Sequence, residues 1–156
     1  MNELEGKRAL VTGGSRGIGA SIAVALAEKG ADVVITYHQS GDRAAEVVRA
    51  IEAKGRRGLA IQADSADPAA VLRSIEDAVK ALGGLDILVN NVGTARMGKF
   101  VDLSLADIDA ILDTNVRATV LASRRPSRTS GEAVASSPSG RIPPNAPLFP
   151  GSPCMH

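Results

Sequence analysis

Several kinds of residue are scarce in this chain, and each scarcity argues against a particular class of protein. The 156 residues include one cysteine, Cys154, so no disulfide framework can form and the cytoplasm is the expected location. Three aromatic residues and a net charge of +1 favour neither nucleic acid nor a membrane surface as a partner. There is no run of about 18 apolar residues and no apolar signal region at the N-terminus, so we expect no membrane span.

The sequence does contain a regular alternation of predicted strands and helices. Apolar and β-branched runs predict buried strands at Arg8–Thr12, Asp32–Tyr37, Gly58–Ala63 and Leu85–Asn90. Helical spacing of apolar residues predicts helices at Ile18–Glu28, Asp42–Lys54, Pro68–Leu82 and Leu105–Ala122. Strands joined by crossover helices form a parallel sheet. The expected fold class is α/β, the N-terminal part of a Rossmann-type doubly wound parallel sheet followed by an irregular tail.

Helix ends and helix faces can also be predicted. Asp67 and Ser104 are placed as N-caps, and Pro68 suits a first helical position. The side chains expected to face the core are Ile18, Ile22, Ala25, Leu26, Ala45, Val48, Ile51, Val71, Leu72, Ile75, Val79, Ile108, Ile111, Leu112 and Val116.

A glycine-rich turn joins the first predicted strand to the first helix. Gly13, Gly17 and Gly19 let the backbone turn tightly and approach a pyrophosphate, toward which the first N–H groups of the helix point. Glycine spacing alone also fits a simple helix entry. The strand before it and the helix after it favour phosphate binding.

These motifs together resemble the short-chain dehydrogenase/reductase family, with the closest likeness to 3-oxoacyl-acyl-carrier-protein-reductase-like members. The resemblance covers about residues 6–122 and rests on Thr12, the spacing Gly13-x-x-x-Gly17-x-Gly19, Asp64, Asn90-Asn91-Val92-Gly93 and Asn115. Val92 stands where the family carries alanine.

The resemblance implies an NAD(P)(H)-dependent oxidoreductase that acts on a carbonyl/alcohol pair, without a metal. It implies cofactor contacts from Gly13, Ser15, Arg16, Gly17, Ile18, Gly19, Tyr37, Asp64, Asn91, Val92 and Gly93, with Asp64 at the adenine. Asn115 matches the catalytic asparagine, which would order a proton-relay water. The alternatives are a solvated carboxylate for Asp64, an ordinary turn at Asn91 and Gly93, and a locally bonded helix residue for Asn115.

Charge at the end of the second strand distinguishes the two nicotinamide cofactors. A carboxylate there would bind a ribose 2′-hydroxyl and repel a 2′-phosphate. The strand ends in Thr36, Tyr37 and His38 without an acid, whereas Arg16 and Arg43 lie nearby in sequence. NADP(H) is therefore expected rather than NAD(H), unless both arginines are merely solvated.

The family's Tyr-x-x-x-Lys pair does not occur in this sequence. The one tyrosine, Tyr37, lies in the second predicted strand, and no lysine follows Lys99. We therefore expect a C-terminally truncated, inactive reductase. A module that only binds nucleotide and a non-functional translation product are the alternatives. Intact relatives are commonly homotetramers, and that assembly is expected to be impaired here.

The composition changes near Arg124, after which seven of the eight prolines occur. Residues 1–122 are expected to form a partial NADP-binding domain, and residues 123–156 an irregular or disordered tail. In a shifted reading frame, residues 135–140 can encode Ile-Ile-Thr-Ile-Gly and residues 150–155 Gly-Ile-Ala-Val-Tyr. This order matches the family's serine strand and the start of its tyrosine helix, so we expect a frameshift near Leu121–Pro126. A genuine variable tail is the alternative.

Resequencing the coding DNA tests the frameshift directly. We expect an insertion or deletion that shifts the reading frame within codons 118–130, followed by a Tyr-x-x-x-Lys pattern in the restored frame. An unshifted frame with no such pattern downstream would contradict this expectation.

Overall fold

The computed structural model describes residues 3–96 and 98–124, which form a parallel sheet with helices on both faces. Strands β1 to β4 are Arg8–Val11, Asp32–Tyr37, Gly58–Gln62 and Ile87–Val89, in the order β3-β2-β1-β4. Leu10 in β1 lies between Val34 of β2 and Leu88 of β4. The α/β parallel sheet predicted from the sequence is confirmed.

Five α-helices are found among the described residues. Helices α1 to α5 are Gly17–Glu28, Gly41–Glu52, Pro68–Leu82, Leu105–Leu112 and Ala118–Arg124. Both predicted N-caps are confirmed, since the Asp67 carboxylate accepts a hydrogen bond from the Ala69 N–H at 2.9 Å and Ser104 forms a reciprocal capping box with Asp107. None of the helices in the described part of the chain has the length and apolar character needed to traverse a bilayer.

Alternating side chains of the central strands build a core on each face of the sheet. Ala9, Val11, Val33 and Ile35 pack against α1 and α2, whereas Leu10 and Val34 pack against α3 and α5. All six of these strand side chains are fully buried. Such continuous burial is expected of central parallel strands covered by helices on both sides.

The helical segment predicted at Leu105–Ala122 is confirmed, but it is not one regular α-helix. A π-helical turn at Asp113–Arg117 divides it, with the Ala118 N–H donating to the Asp113 carbonyl. The final helix continues to Arg124, because nothing in residues 118–124 breaks a helix. The irregular tail was predicted for residues 123–156. Its first two residues belong instead to α5, and residues 125–156 lie outside the described residues.

The predicted buried face of α1 was also wrong in part. Ile18 is 75% exposed, and the buried residues of α1 are Gly19, Ala23 and Ala27. Small residues let the helix approach the sheet closely, so the larger Ile18 is left at the rim. Ala25, also predicted to face the core, is exposed.

Two other helix faces differ from their predictions. In α2, Ile51 is buried as predicted. Ala44 and Val47 are buried as well, whereas Ala45 is exposed and Val48 is half-buried. Leu112 and Val116 are 49% and 53% exposed, because α4 and the π-helical turn contact little else among the described residues.

Ion pairs fasten the edge of the sheet at which the strands begin. The Asp86 carboxylate accepts bonds from the Arg8 guanidinium at 2.7 and 2.9 Å and from the Arg8 backbone N–H at 2.9 Å. Asp32 is bound by the guanidinium groups of Arg56 and Arg57 at 2.9 and 2.8 Å. Burial raises the pKa of Asp32, but these bonds outweigh burial and lower the pKa overall.

The pair between Arg8 and Asp86 makes stability depend on pH. Hydrogen bonds from Arg8 lower the pKa of Asp86 despite its partial burial. Its contribution is therefore present above the unfolded pKa of about 4 and is lost as the pH falls through the folded value. Asp86→Asn is expected to lower the free energy of unfolding by about 1–3 kcal/mol at pH 7.

Urea denaturation of both proteins at neutral and acidic pH measures this effect. The difference between wild type and variant should shrink on acidification. Asp77→Asn is the matched control, because Asp77 is 57% exposed and 3.9 Å from Lys80. A difference between Asp86→Asn and wild type that stays constant with pH would refute the assignment.

Candidate functional site

The turn between β1 and α1 is rich in glycine, so its main chain is not covered by side chains. Gly13 and Gly17 have φ angles of 65° and 54°, in the left-handed region that favours glycine. A Cβ on Gly19 would collide with the Gly13 carbonyl oxygen and lie 2.5 Å from Nδ2 of Asn91. Helix α1 begins there without a side-chain cap and without an acidic residue in its first turn. Its first N–H groups are therefore suited to bind an anion.

Side chains from two other strands hold this turn in place. The Asn91 amide donates to the carbonyls of Thr12 and Gly13 at 3.0 and 3.1 Å. The Thr12 hydroxyl accepts the backbone N–H groups of Asn91 and Val92 at 3.0 and 3.2 Å. The Thr36 hydroxyl accepts the Gly13 N–H at 3.1 Å. These bonds, the Asn91 clamp, join the ends of β1, β2 and β4.

A cleft of about 850 Å³ opens beside the turn, above the carboxyl ends of the strands. It is lined by every residue predicted to contact a cofactor: Gly13, Ser15, Arg16, Gly17, Ile18, Gly19, Tyr37, Asp64, Asn91, Val92 and Gly93. Its volume is in the range of small-molecule and cofactor sites. The structure thus brings these residues together, while their individual roles stay predictions.

Asp64 and His38 meet at the edge of the cleft beside β2 and β3. One Asp64 carboxylate oxygen accepts the Ala66 N–H at 2.9 Å, and the other lies 3.8 Å from Nε2 of His38. Gln62 donates to the His38 carbonyl at 2.9 Å. Asp64 is therefore held in a turn and still 47% exposed to the cleft.

The two arginines considered for a phosphate are placed differently. Arg16 lines the cleft beside the N-terminus of α1. Arg43 lies on the exposed surface of α2 and does not line the cleft. No acidic residue occurs at the end of β2, from Thr36 to Ser40.

Asn115 lies in the π-helical turn and faces the loop that follows β4. Its Oδ1 accepts the Thr94 N–H, and its Nδ2 donates to the Thr94 carbonyl, both at 2.8 Å. Both ends of the side-chain amide are thus used to hold the loop beside Gly93. Asn115 does not line the cleft itself, and its expected role in ordering a water stays a prediction.

Sequence reasoning missed several residues of the site. Gly14 is required because a Cβ there would lie 2.6 Å from the Ile35 side chain, and its position beside Gly13 was a usable signal. Thr36 is a hydroxyl at a strand end. The further cleft-lining residues with hydrogen-bonding side chains are His38, Gln39, Ser40, Ser65, Thr94, Arg96 and Thr114. Those in irregular loops have no spacing pattern by which to find them.

Comparisons with known proteins agree with this geometry. The family model described as short chain dehydrogenase matches residues 7–142. Versicolorin reductase 1 of Aspergillus parasiticus is 42% identical over 123 residues, which are 79% of this chain and 47% of that protein. The 3-oxoacyl-[acyl-carrier-protein] reductase of Staphylococcus aureus is 45% identical over 111 residues, 71% of this chain and 45% of the reductase. The chain spans about half the length of these curated relatives.

Solved structures of similar proteins superpose well on this chain. A short chain dehydrogenase from Burkholderia cenocepacia in complex with NADP superposes with a TM-score of 0.76 at 63% identity, over 78% of this chain and 49% of that one. A blue fluorescent protein from a metagenomic library in complex with NADPH gives 0.75 at 49% identity, over 77% and 49% of the two chains. In each case the likeness covers more than three quarters of this chain and about half of the solved one.

Substitution of Gly19 tests the close contacts of the turn. Gly19→Ala is expected to lower the free energy of unfolding by about 1–3 kcal/mol, because its Cβ would press on the Gly13 backbone. Gly41→Ala is the matched control, since its Cβ would lie 3.7 Å from the Tyr37 ring, an ordinary contact. Chemical denaturation compares the two variants. Equal stabilities would show that the turn adapts and is not tightly packed.

Proposed function

The chain belongs to the short chain dehydrogenase family, and on that premise we propose that its cleft binds NADP(H) for an oxidoreductase acting on a carbonyl/alcohol pair. The observation that carries the proposal is the glycine turn, which directs the uncapped N-terminus of α1 into the cleft. Gly19 leaves no space for a side chain, so the backbone itself forms the surface that faces a pyrophosphate.

The choice of NADP(H) over NAD(H) rests on charge. No carboxylate lies at the end of β2, from Thr36 to Ser40, to bind a ribose 2′-hydroxyl, and Arg16 supplies a cation that lines the cleft. A forked guanidinium suits a phosphate both by charge and by geometry. The relatives solved with NADP and NADPH support the same choice. Asp64 would contact the adenine from the end of β3.

When bound, the nicotinamide exchanges a hydride with the substrate, so that a carbonyl and a proton are interconverted with an alcohol. This chain's residues would bind and orient the cofactor. Asn91 and Thr12 hold the floor of the cleft, and Asn115 holds the loop beside Gly93. A general acid is also required to move the proton.

The sequence given offers no Tyr-x-x-x-Lys pair for that proton. We therefore propose that this chain binds the cofactor without turnover, through a partial domain formed by residues 1–122. A module that only binds nucleotide is the second candidate function, favoured by the cleft beside the glycine turn and by the lack of that pair in the sequence. A cytoplasmic location remains part of the proposal, whereas the homotetramer of intact relatives is expected to be impaired here.

Titration of NADPH and NADH by nucleotide fluorescence tests the cofactor assignment. NADPH is expected to bind more tightly than NADH. Arg16→Gln should weaken NADPH about tenfold, the cost of a charge-assisted hydrogen bond, and leave NADH unchanged.

Arg43→Gln is the matched control, because Arg43 is exposed and outside the cleft. Failure to bind either nucleotide would favour a non-functional product. Equal affinity for NADPH and NADH would contradict the proposed role of Arg16 in favouring NADPH. Oxidation of NADPH by a carbonyl compound would contradict binding without turnover.

A further inference from the structure

The cleft has two ends, because its lining residues follow strands at opposite edges of the sheet. Asp64 follows β3 and Arg96 follows β4, the two outer strands in the described sheet. In a dinucleotide-binding fold the residues after the second strand read the adenosine ribose. In the proposed function, on which this inference rests, the nicotinamide and the reacting carbonyl therefore lie toward Arg96.

Arg96 is positioned by the loop that carries it and by an ion pair of its side chain. Two residues earlier, the Thr94 backbone is held by Asn115 at 2.8 Å on each side. The Arg96 Nε lies 3.4 Å from Oδ1 of Asp107. Asp107 is itself fixed by Ser104, whose hydroxyl donates to Oδ2 at 2.7 Å and accepts the Asp107 N–H at 3.1 Å. Arg96 is thus a positioned cation.

Asp107 remains charged near neutral pH. Hydrogen bonds from the Ser104 hydroxyl and backbone, together with the charge of Arg96, lower the pKa of this carboxyl. The carboxylate therefore keeps its hold on the Nε edge of the guanidinium. Since a guanidinium carries five N–H donors in a planar fork, the other edge retains donors for a second anion.

The Arg96 side chain is 54% exposed and lines the cleft. Along the cleft, the acidic lining residue Asp64 belongs to the opposite end. We propose that Arg96 binds the carboxylate of the substrate, which makes oxo acids and the corresponding hydroxy acids the substrate class. Arg96 would act as a specificity-determining residue that orients the acid while its carbonyl faces the nicotinamide.

Binding of a matched acid and ester to the NADP-loaded protein tests this assignment without turnover. Isothermal titration calorimetry compares levulinate with its uncharged methyl ester. Levulinate is expected to bind about fivefold more tightly, the modest effect of a half-exposed ion pair. Arg96→Gln should reduce this preference to less than about twofold. NADPH affinity should be unchanged.

Arg73→Gln is the matched control, because Arg73 is 64% exposed, lies 3.6 Å from the capping residue Asp67, and is outside the cleft. It should keep the wild-type preference for the acid. Arg96→Lys retains the charge and should keep part of the preference, and it replaces Arg96→Gln if circular dichroism shows that variant to be unfolded.

The outcomes separate this inference from the proposed function. Equal affinity for acid and ester, or a preference that survives Arg96→Gln, overturns the role of Arg96. Weaker NADPH binding by Arg96→Gln makes Arg96 a cofactor ligand and also overturns it. Absence of NADPH binding in the wild type overturns the proposed function and this inference together.

Discussion

The cleft depends on the bonds between Asn91, Thr12 and the glycine turn. The Asn91 amide spans two consecutive carbonyls, so it fixes the direction in which the chain leaves β1. The Thr12 hydroxyl returns two bonds to the backbone that follows β4. The contacts leave no space for a Cβ on Gly19, and the N-terminus of α1 lies beside Gly13 as a consequence. Displacement of this clamp would change the cleft floor, the turn and the helix direction together.

The two edges of the sheet use different chemistry for different purposes. Where the strands begin, carboxylates such as Asp86 and Asp32 are bound by arginines, and these ion pairs stabilise the fold. Where the strands end, neutral hydroxyl and amide groups of Thr12, Thr36 and Asn91 set the geometry. Neutral groups position the backbone without adding a net charge beside the cleft.

The sequence predicted the fold well because the pattern of the strands is strong. Runs such as Val33, Val34 and Ile35 are apolar on both faces, which only a central parallel strand requires. Helix faces were predicted less well, because periodicity cannot show that small residues face the sheet at α1 and leave Ile18 at the rim. The eleven lining residues that were predicted as cofactor contacts followed from the glycine spacing and the family resemblance. Contacts made through loops, such as those of Arg96, had no such signal.

The π-helical turn at Asp113–Arg117 helps to position the loop that follows β4. An uninterrupted α-helix from Leu105 would present its residues in a fixed 3.6-residue repeat, whereas the wider turn shifts the residues after Asp113 by one position. That shift comes where Asn115 engages both sides of the Thr94 backbone. The same helix begins with the capping box that holds Asp107 against Arg96. One helical segment therefore fixes the loop after β4 at two points, and the position of the cation in the cleft follows from both.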